Sequence, residues 1–200
     1  MSRVVLATRN PHKVDELQAI LRSVGLDVEL VPLPADAPDV VEDGLTFAEN
    51  ALKKARSAAE VTGMPAVADD SGLCVDALNG MPGVFSARWA GSARDDAANL
   101  RLVLEQVADV RDDQRGASFV CAAALVTPGG EEQVVEGRVT GRLVREPRGT
   151  GGFGYDPAFV PDGHDRTTAE MGAEEKNSIS HRGNAFRALA PVVRELLTPR

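Results

Sequence analysis

Four polar segments, far apart in a chain of 200 residues, each carry the residue types needed to hold part of a nucleotide. They are Thr8-Arg9-Asn10-Pro11-His12-Lys13, Ala68-Asp69-Asp70-Ser71-Gly72-Leu73, the run from Gly149 to Pro157, and the run from Glu174 to Arg182. In the first, the apolar residues 3–7 meet a helix start signalled by Asn10 as N-cap and Pro11 as first helical residue. Unpaired backbone N–H groups and the positive end of the helix dipole both favour a phosphate there. Lys13, one turn in, adds a full charge, and Thr8 and Asn10 add polar side chains. On its own, Asn-Pro is simply a good helix cap, and the P-loop pattern G-x-x-x-x-G-K-[ST] occurs nowhere.

Asp69 and Asp70 follow Ala66-Val67-Ala68, so they are expected where a short buried strand ends. Neighbours on an extended segment face opposite sides, and only one of the two need enter a cleft. A carboxylate in that position suits Mg²⁺, which takes one or two protein carboxylates alongside phosphate oxygens and water. The other carboxylate could accept a proton from water or orient it. An Asp-Asp-Ser-Gly turn is the plainer alternative. Glu42, Asp43 and Glu49 are the nearest further acids, though Glu49 also stands where it can close a capping box with Thr46. Lys53, one turn beyond Glu49, offers either a surface ion pair or a second phosphate contact.

Residues 149–154 spell G-x-G-x-x-G. A dinucleotide fingerprint opens a helix after the first strand of a βαβ unit, whereas Tyr155-Asp156-Pro157 follows here at once. A flexible glycine loop that offers Phe153 for stacking on a base suits this context better. Tyr155 is the only tyrosine and could serve a ligand or the core. His181-Arg182 opens the last helix with Ser180 as N-cap. Cations there oppose the helix dipole, which implies an outside reason such as hydrogen bonds to a ligand. Lys176 is near enough in sequence to join them, and a solvated surface turn is the alternative.

An α/β fold with a mixed sheet must position these segments. Helices are expected at 11–24, at 46–62, around Leu100–Val107, and from about His181 to Leu197, where Pro191 should impose a kink. Strands are expected at 3–7, 27–31 and 66–68, with an extended piece at 73–76 and a hairpin of 117–126 and 132–139 around Pro128-Gly129-Gly130. No repeat or long linker interrupts the chain, so residues 1–200 read as one domain, or one chain folded into two lobes. Cys74 and Cys121 lack metal-ligand spacing and read as buried hydrophobes. No apolar run nears the roughly 18 residues of a membrane span, and no signal-peptide core follows Met1, which favours the cytosol. The net charge of −8 argues against broad nucleic-acid binding. Positive charge for an anionic ligand must then be local or come from a metal.

Taken together, Thr8-x-Asn10-x-x-Lys13, Thr46-Phe47-x-Glu49-Asn50-Ala51, Ala68-Asp69-Asp70-Ser71-Gly72-Leu73, Phe153-Gly154-Tyr155-Asp156-Pro157 and Ser180-His181-Arg182 resemble a known enzyme family in order and over nearly the whole chain. It is the house-cleaning pyrophosphatase family acting on inosine and xanthosine triphosphates, the Ham1/RdgB or ITPase family. The resemblance implies a homodimer with an elongated mixed β-sheet flanked by helices, forming two lobes around a substrate cleft. It implies Mg²⁺-dependent cleavage between the α- and β-phosphates, giving the nucleoside monophosphate and pyrophosphate. Asp70 would be the general base and a metal ligand. Thr8, Arg9, Asn10, Pro11, His12, Lys13 and Ser71 would contact substrate. Phe153, Gly154, Tyr155, Asp156, Lys176, His181 and Arg182 would form the base-recognition side. Asp69, Glu42 and Glu49 are candidates to share the metal. Arg9 departs from the family, whose bacterial members often carry glycine there.

No Ser-His-Asp or Cys-His set argues for a covalent intermediate, so direct attack by water on the α-phosphorus is the simpler chemistry. Hypoxanthine and xanthine present O6, an acceptor, where adenine presents an amino donor. Donors from Arg182, His181 or the backbone would then favour the former bases. Three alternatives stand beside this reading. One is a pyrophosphatase for modified pyrimidine nucleotides on a related fold, and another is a non-catalytic nucleotide sensor. A nicotinamide-dependent oxidoreductase would rest on the misplaced glycine pattern alone.

Overall fold

The structure, a computed structural model, describes residues 2–8 and 11–197, with the side chains at 2, 11–13, 15, 16 and 197 left aside. Its elements in chain order are β1 (Ser2–Leu6), α1 (Pro11–Ser23), β2 (Val28–Pro32), α2 (Phe47–Thr62), β3 (Ala66–Val75), β4 (Met81–Pro82), α3 (Asp96–Gln106), β5 (Gly116–Val126), β6 (Glu132–Leu143), β7 (Phe159–Pro161), α4 (Ala173–Ile179) and α5 (His181–Leu197). The strands join in the order β2-β1-β3-β5-β6-β7, with β4 antiparallel to β3. β1 runs parallel to both β2 and β3, while β6 and β7 are antiparallel, so the sheet is mixed as expected.

The chain divides into two compact units. The first comprises Met1–Asp70, Cys121–Gly137 and Arg182–Arg200, the second Ser71–Val120 and Arg138–His181. In the first, Leu17, Ile20 and Leu21 form the buried stripe of α1, and Phe186, Leu189, Ala190 and Val193 form that of α5. Both follow the three- and four-residue spacing of a helix face. Val4 and Leu6 of β1 and Cys121, Ala123 and Leu125 of β5 supply the strand side with the two-residue period of a pleat. α5 continues through the exposed Pro191.

α2 is fixed at both ends. Thr46 accepts a hydrogen bond from the Glu49 N–H at 3.1 Å, and Gly63, at φ +65°, donates to the Ala59 carbonyl at 2.9 Å. Only a left-handed residue closes a helix this way cheaply, which accounts for the glycine. Ala51, Ala55, Ala58 and Ala59 make its buried face, and such small side chains permit a close approach of the helix backbone to its neighbours.

The second unit packs Leu73 and Val75 of β3, Val103 of α3, Leu143, Tyr155 and Phe159 around a separate core. Arg115 lies inside it, 2% exposed, and donates to the backbone carbonyls of Val107, Leu143 and Val144. Burial, and then the neighbouring Arg145 charge, hold its pKa below the usual arginine value.

Three expectations need correction. β3 is one ten-residue strand rather than two pieces, so Asp69 and Asp70 sit in mid-strand, not at a strand end. Ser71 and Gly72 look like turn residues in sequence, yet they lie inside β3, whose place in the sheet between β1 and β5 overrides local preference. The solvated surface turn kept as the alternative for Lys176, His181 and Arg182 is not found, since Lys176 lies on α4 and the other two open α5. Cys74 is half-buried, whereas Cys121 is buried as expected. Among the described residues no helix is long and apolar enough to cross a membrane.

Candidate active site

In the first unit an acidic centre is assembled by one face of α2. Asn50 is 1% exposed, and its side chain is used at both ends. Its Oδ1 accepts from the Gly44 N–H at 2.8 Å, and its Nδ2 donates to Asp70 Oδ2 at 2.9 Å. One amide thereby ties the 42–44 loop to β3. A methyl group on Gly44 would lie 2.6 Å from Asn50 Oδ1, so the loop passes too close for any other residue.

Lys54 lies one turn along the same face. Its Nζ is 2.6 Å from Glu42 Oε1 and 3.7 Å from Asp70 Oδ1, so a single ammonium stands between two carboxylates. Burial pulls its pKa down, but the charges of Asp70 and then Glu42 outweigh this and leave it above the ordinary lysine value. Lys53, the lysine singled out in the sequence, points elsewhere and pairs with Asp43, whose pKa this partnership lowers. Glu49 is exposed and accepts from the Leu45 N–H at 2.6 Å, so its carboxylate serves the helix entry.

Asp69, on the opposite side of the pleat from Asp70, forms an ion pair with Arg182: Arg182 Nε donates to Asp69 Oδ2 at 3.1 Å. Each residue is only 8% exposed. A protein carboxylate thus provides one outside reason for a cation at the start of α5. Next to Lys54 lies a cavity of about 250 Å³ lined by Thr8, Leu33, Asp39, Lys54 and Ser57. Thr8 is pinned by its backbone, which donates to the Leu6 carbonyl and accepts from the Leu33 N–H. Arg9 and Asn10 lie outside the described residues, as do the side chains of Pro11, His12 and Lys13. The helix start at Pro11 agrees with the sequence reading.

The donor set here fits Mg²⁺. Glu42 and Asp70 offer hard oxygens already gathered by a positive group, and Mg²⁺ favours one or two carboxylates over a cage built from protein alone. Among the described residues there is in fact no cluster of three or more His, Cys, Asp or Glu side chains placed to hold a metal.

The second unit carries the remaining motif residues. The glycine run is held in place: Gly151 N–H donates to the Ala169 carbonyl, and a Cβ on Gly149, at φ +85°, would meet the Ala169 backbone at 2.6 Å. Phe153, 66% exposed, projects from this loop with the Lys176 ammonium 5.0 Å from its ring centre. Buried Asp156 organises the group, accepting from the Phe153 N–H at 2.8 Å, the Thr168 hydroxyl at 2.8 Å and Lys176 Nζ at 2.5 Å. The Gly154 N–H donates to Asp96 at 3.1 Å. His181 stacks on Phe119, centroids 4.9 Å apart. Tyr155 is a core residue whose hydroxyl donates to the Ser86 carbonyl at 2.7 Å. Ser71 is half-buried on β3.

Asn50 and Lys54 were both missed as functional residues. The signal was present in the phase of α2: Phe47, Ala51, Ala55 and Ala58 mark the buried side, and Asn50 and Lys54 flank it four residues apart.

The family model described as the Ham1 family matches residues 4–192. A dITP/XTP pyrophosphatase of Streptomyces coelicolor is 64% identical, over 98% of this chain and all of its own. A protein of the same name from Streptomyces avermitilis is 61% identical, with the same coverage. Among solved structures, a HAM1 protein from Coxiella burnetii superposes with a TM-score of 0.89 at 46% identity, covering 98% of this chain and 100% of its own.

Proposed function

Because this chain belongs to the Ham1 family, we propose that it hydrolyses dITP, ITP, XTP and dXTP with Mg²⁺, releasing the nucleoside monophosphate and pyrophosphate and so cleansing the nucleotide pool. The names and high identity of its relatives support the substrate class. The observation that carries the chemistry is the position of Lys54 between Glu42 and Asp70, beside the cavity lined by Thr8.

In this reading Asp70 is the general base. It takes a proton from water as the water oxygen bonds to the α-phosphorus and the bond to the β-phosphate oxygen breaks. Asn50 fixes the rotation of that carboxylate through its bond to Oδ2. Asp70 and Glu42 would hold Mg²⁺, which when bound offsets negative charge on the phosphate oxygens. Asp69 is committed to Arg182 and Glu49 to the Leu45 N–H, so neither is assigned to the metal. Thr8, Lys13, the start of α1 and Lys54 meet the phosphates, the lysines as point charges. Phe153, Asp156, Lys176 and His181 are assigned to the base, with Lys176 donating to the O6 acceptor. Arg182 acts by fixing Asp69, next to the general base. The protein is further taken to work as a cytoplasmic homodimer, on the family resemblance alone; light scattering in solution checks the dimer.

The test is to incubate the protein with dITP, XTP, GTP and ATP plus Mg²⁺ and to identify the products. Monophosphate and pyrophosphate should appear from dITP and XTP, with ATP discriminated against by ~10⁴-fold, as mismatched buried donors would demand. Release of orthophosphate, or equal turnover of ATP, would overturn the reading.

A further inference from the structure

We propose that Lys54 is a resident counter-cation: its ammonium holds Glu42 and Asp70 together before the metal arrives and competes with the metal for them. The inference rests on the reading above that these two carboxylates take Mg²⁺. Glu42 comes from a loop and Asp70 from a strand, and nothing in the sequence between them is a metal-binding turn. What brings them to a common point is α2. Asn50 fixes the loop to Asp70 through its amide, and Lys54, one turn further, places a positive charge within 4 Å of both acids. All three side chains are largely withdrawn from solvent, at 19% exposure for Lys54, 29% for Glu42 and 16% for Asp70. In such surroundings charges act on one another more strongly than in water.

A divalent ion bound to the same oxygens would stand beside the ammonium, and the two cations would repel. Mg²⁺ binding to the nucleotide-free protein is therefore weakened by the group that preorganises its ligands. The lysine stem is flexible and reaches into the cavity shared with Thr8 and Ser57. Phosphate entering that cavity offers Lys54 a new anion and frees the carboxylates for the metal. Metal and nucleotide then favour each other's binding, and thermodynamic linkage makes the effect equal in both directions.

The experiment is calorimetric titration of the nucleotide-free protein with Mn²⁺, followed by displacement with Mg²⁺, in wild type, Lys54→Met and Lys54→Arg. Lys54→Met should bind Mn²⁺ tighter than wild type by on the order of 10-fold, because a charge within 4 Å has been removed. Lys54→Arg, which keeps the charge, should stay near wild type. A Lys54→Met affinity equal to or weaker than wild type overturns the proposal; a merely structural lysine would give that result. Should Lys54→Met be poorly folded, melting with and without Mn²⁺ replaces calorimetry. The metal should then raise its Tm more than that of wild type, and an equal or smaller rise refutes the idea. Wild-type turnover of dITP and XTP is measured alongside. If it is absent, the proposed function fails; if it is present without tighter metal binding in Lys54→Met, the counter-cation alone fails.

Discussion

At the scale of single residues, two adjacent aspartates on one strand have opposite duties. Asp70 faces Asn50 and Lys54 and is the general base of the proposed reaction, whereas Asp69 forms a buried ion pair with Arg182. Asp70→Asn should lower kcat by at least ~10²-fold in a pyrophosphate-release assay, as expected for loss of a general base, with the melting curve little changed. Asp69→Asn should act in the other sense. Leaving Arg182 charged and buried without its carboxylate should cost about 3 kcal/mol of stability in urea unfolding. If Asp69→Asn is as stable as wild type, the pair is not structural. The sequence made both acids visible but could not divide the labour, because the deciding partners lie 20 residues away at Asn50 and 113 away at Arg182.

The element that governs the site is α2, a helix whose two ends and small-residue face hold it in one place. Its cap and its site-bearing face can be separated by mutation. Thr46→Ala removes the cap and should cost about 1 kcal/mol of stability, with kcat essentially unchanged. Asn50→Ala should cost about 1–3 kcal/mol, since it strands the Gly44 N–H and a carboxylate oxygen, and should also lower kcat more than it changes KM. Equal kcat in the two variants would detach α2 from the positioning of Asp70. Boundaries of α2 and its capping threonine were legible from Thr46 to Gly63. The choice of lysine was not: spacing from Glu49 points to Lys53, but spacing from buried Asn50 leads to Lys54. One residue of helical phase separates a surface ion pair from the acidic centre.

For the molecule as a whole, the sole tyrosine reports on the integrity of the second unit's core. Burial, and then the Asp96 charge, raise the Tyr155 pKa above its ordinary value near 10. A raised folded-state pKa adds stability that is full below the unfolded value and is lost as pH rises past it. Tyrosinate absorbance should therefore stay low in native protein at pH values where the denatured chain has already ionised, and should appear only with unfolding. Ionisation of native protein near pH 10 would show that Tyr155 is not in the core. The mixed α/β class, the hairpin, the four motif segments and helices at 11–24, 46–62 and 181–197, within a residue of those found at Pro11–Ser23, Phe47–Thr62 and His181–Leu197, were determined by sequence alone, since periodicity, caps and glycines act over a few residues. Tertiary structure alone decided that β3 runs unbroken through Asp69 and Asp70, that Lys54 meets Glu42, and that Arg182 is claimed by Asp69. Each depends on a partner brought close by the packing of distant segments, and no local preference encodes such a meeting.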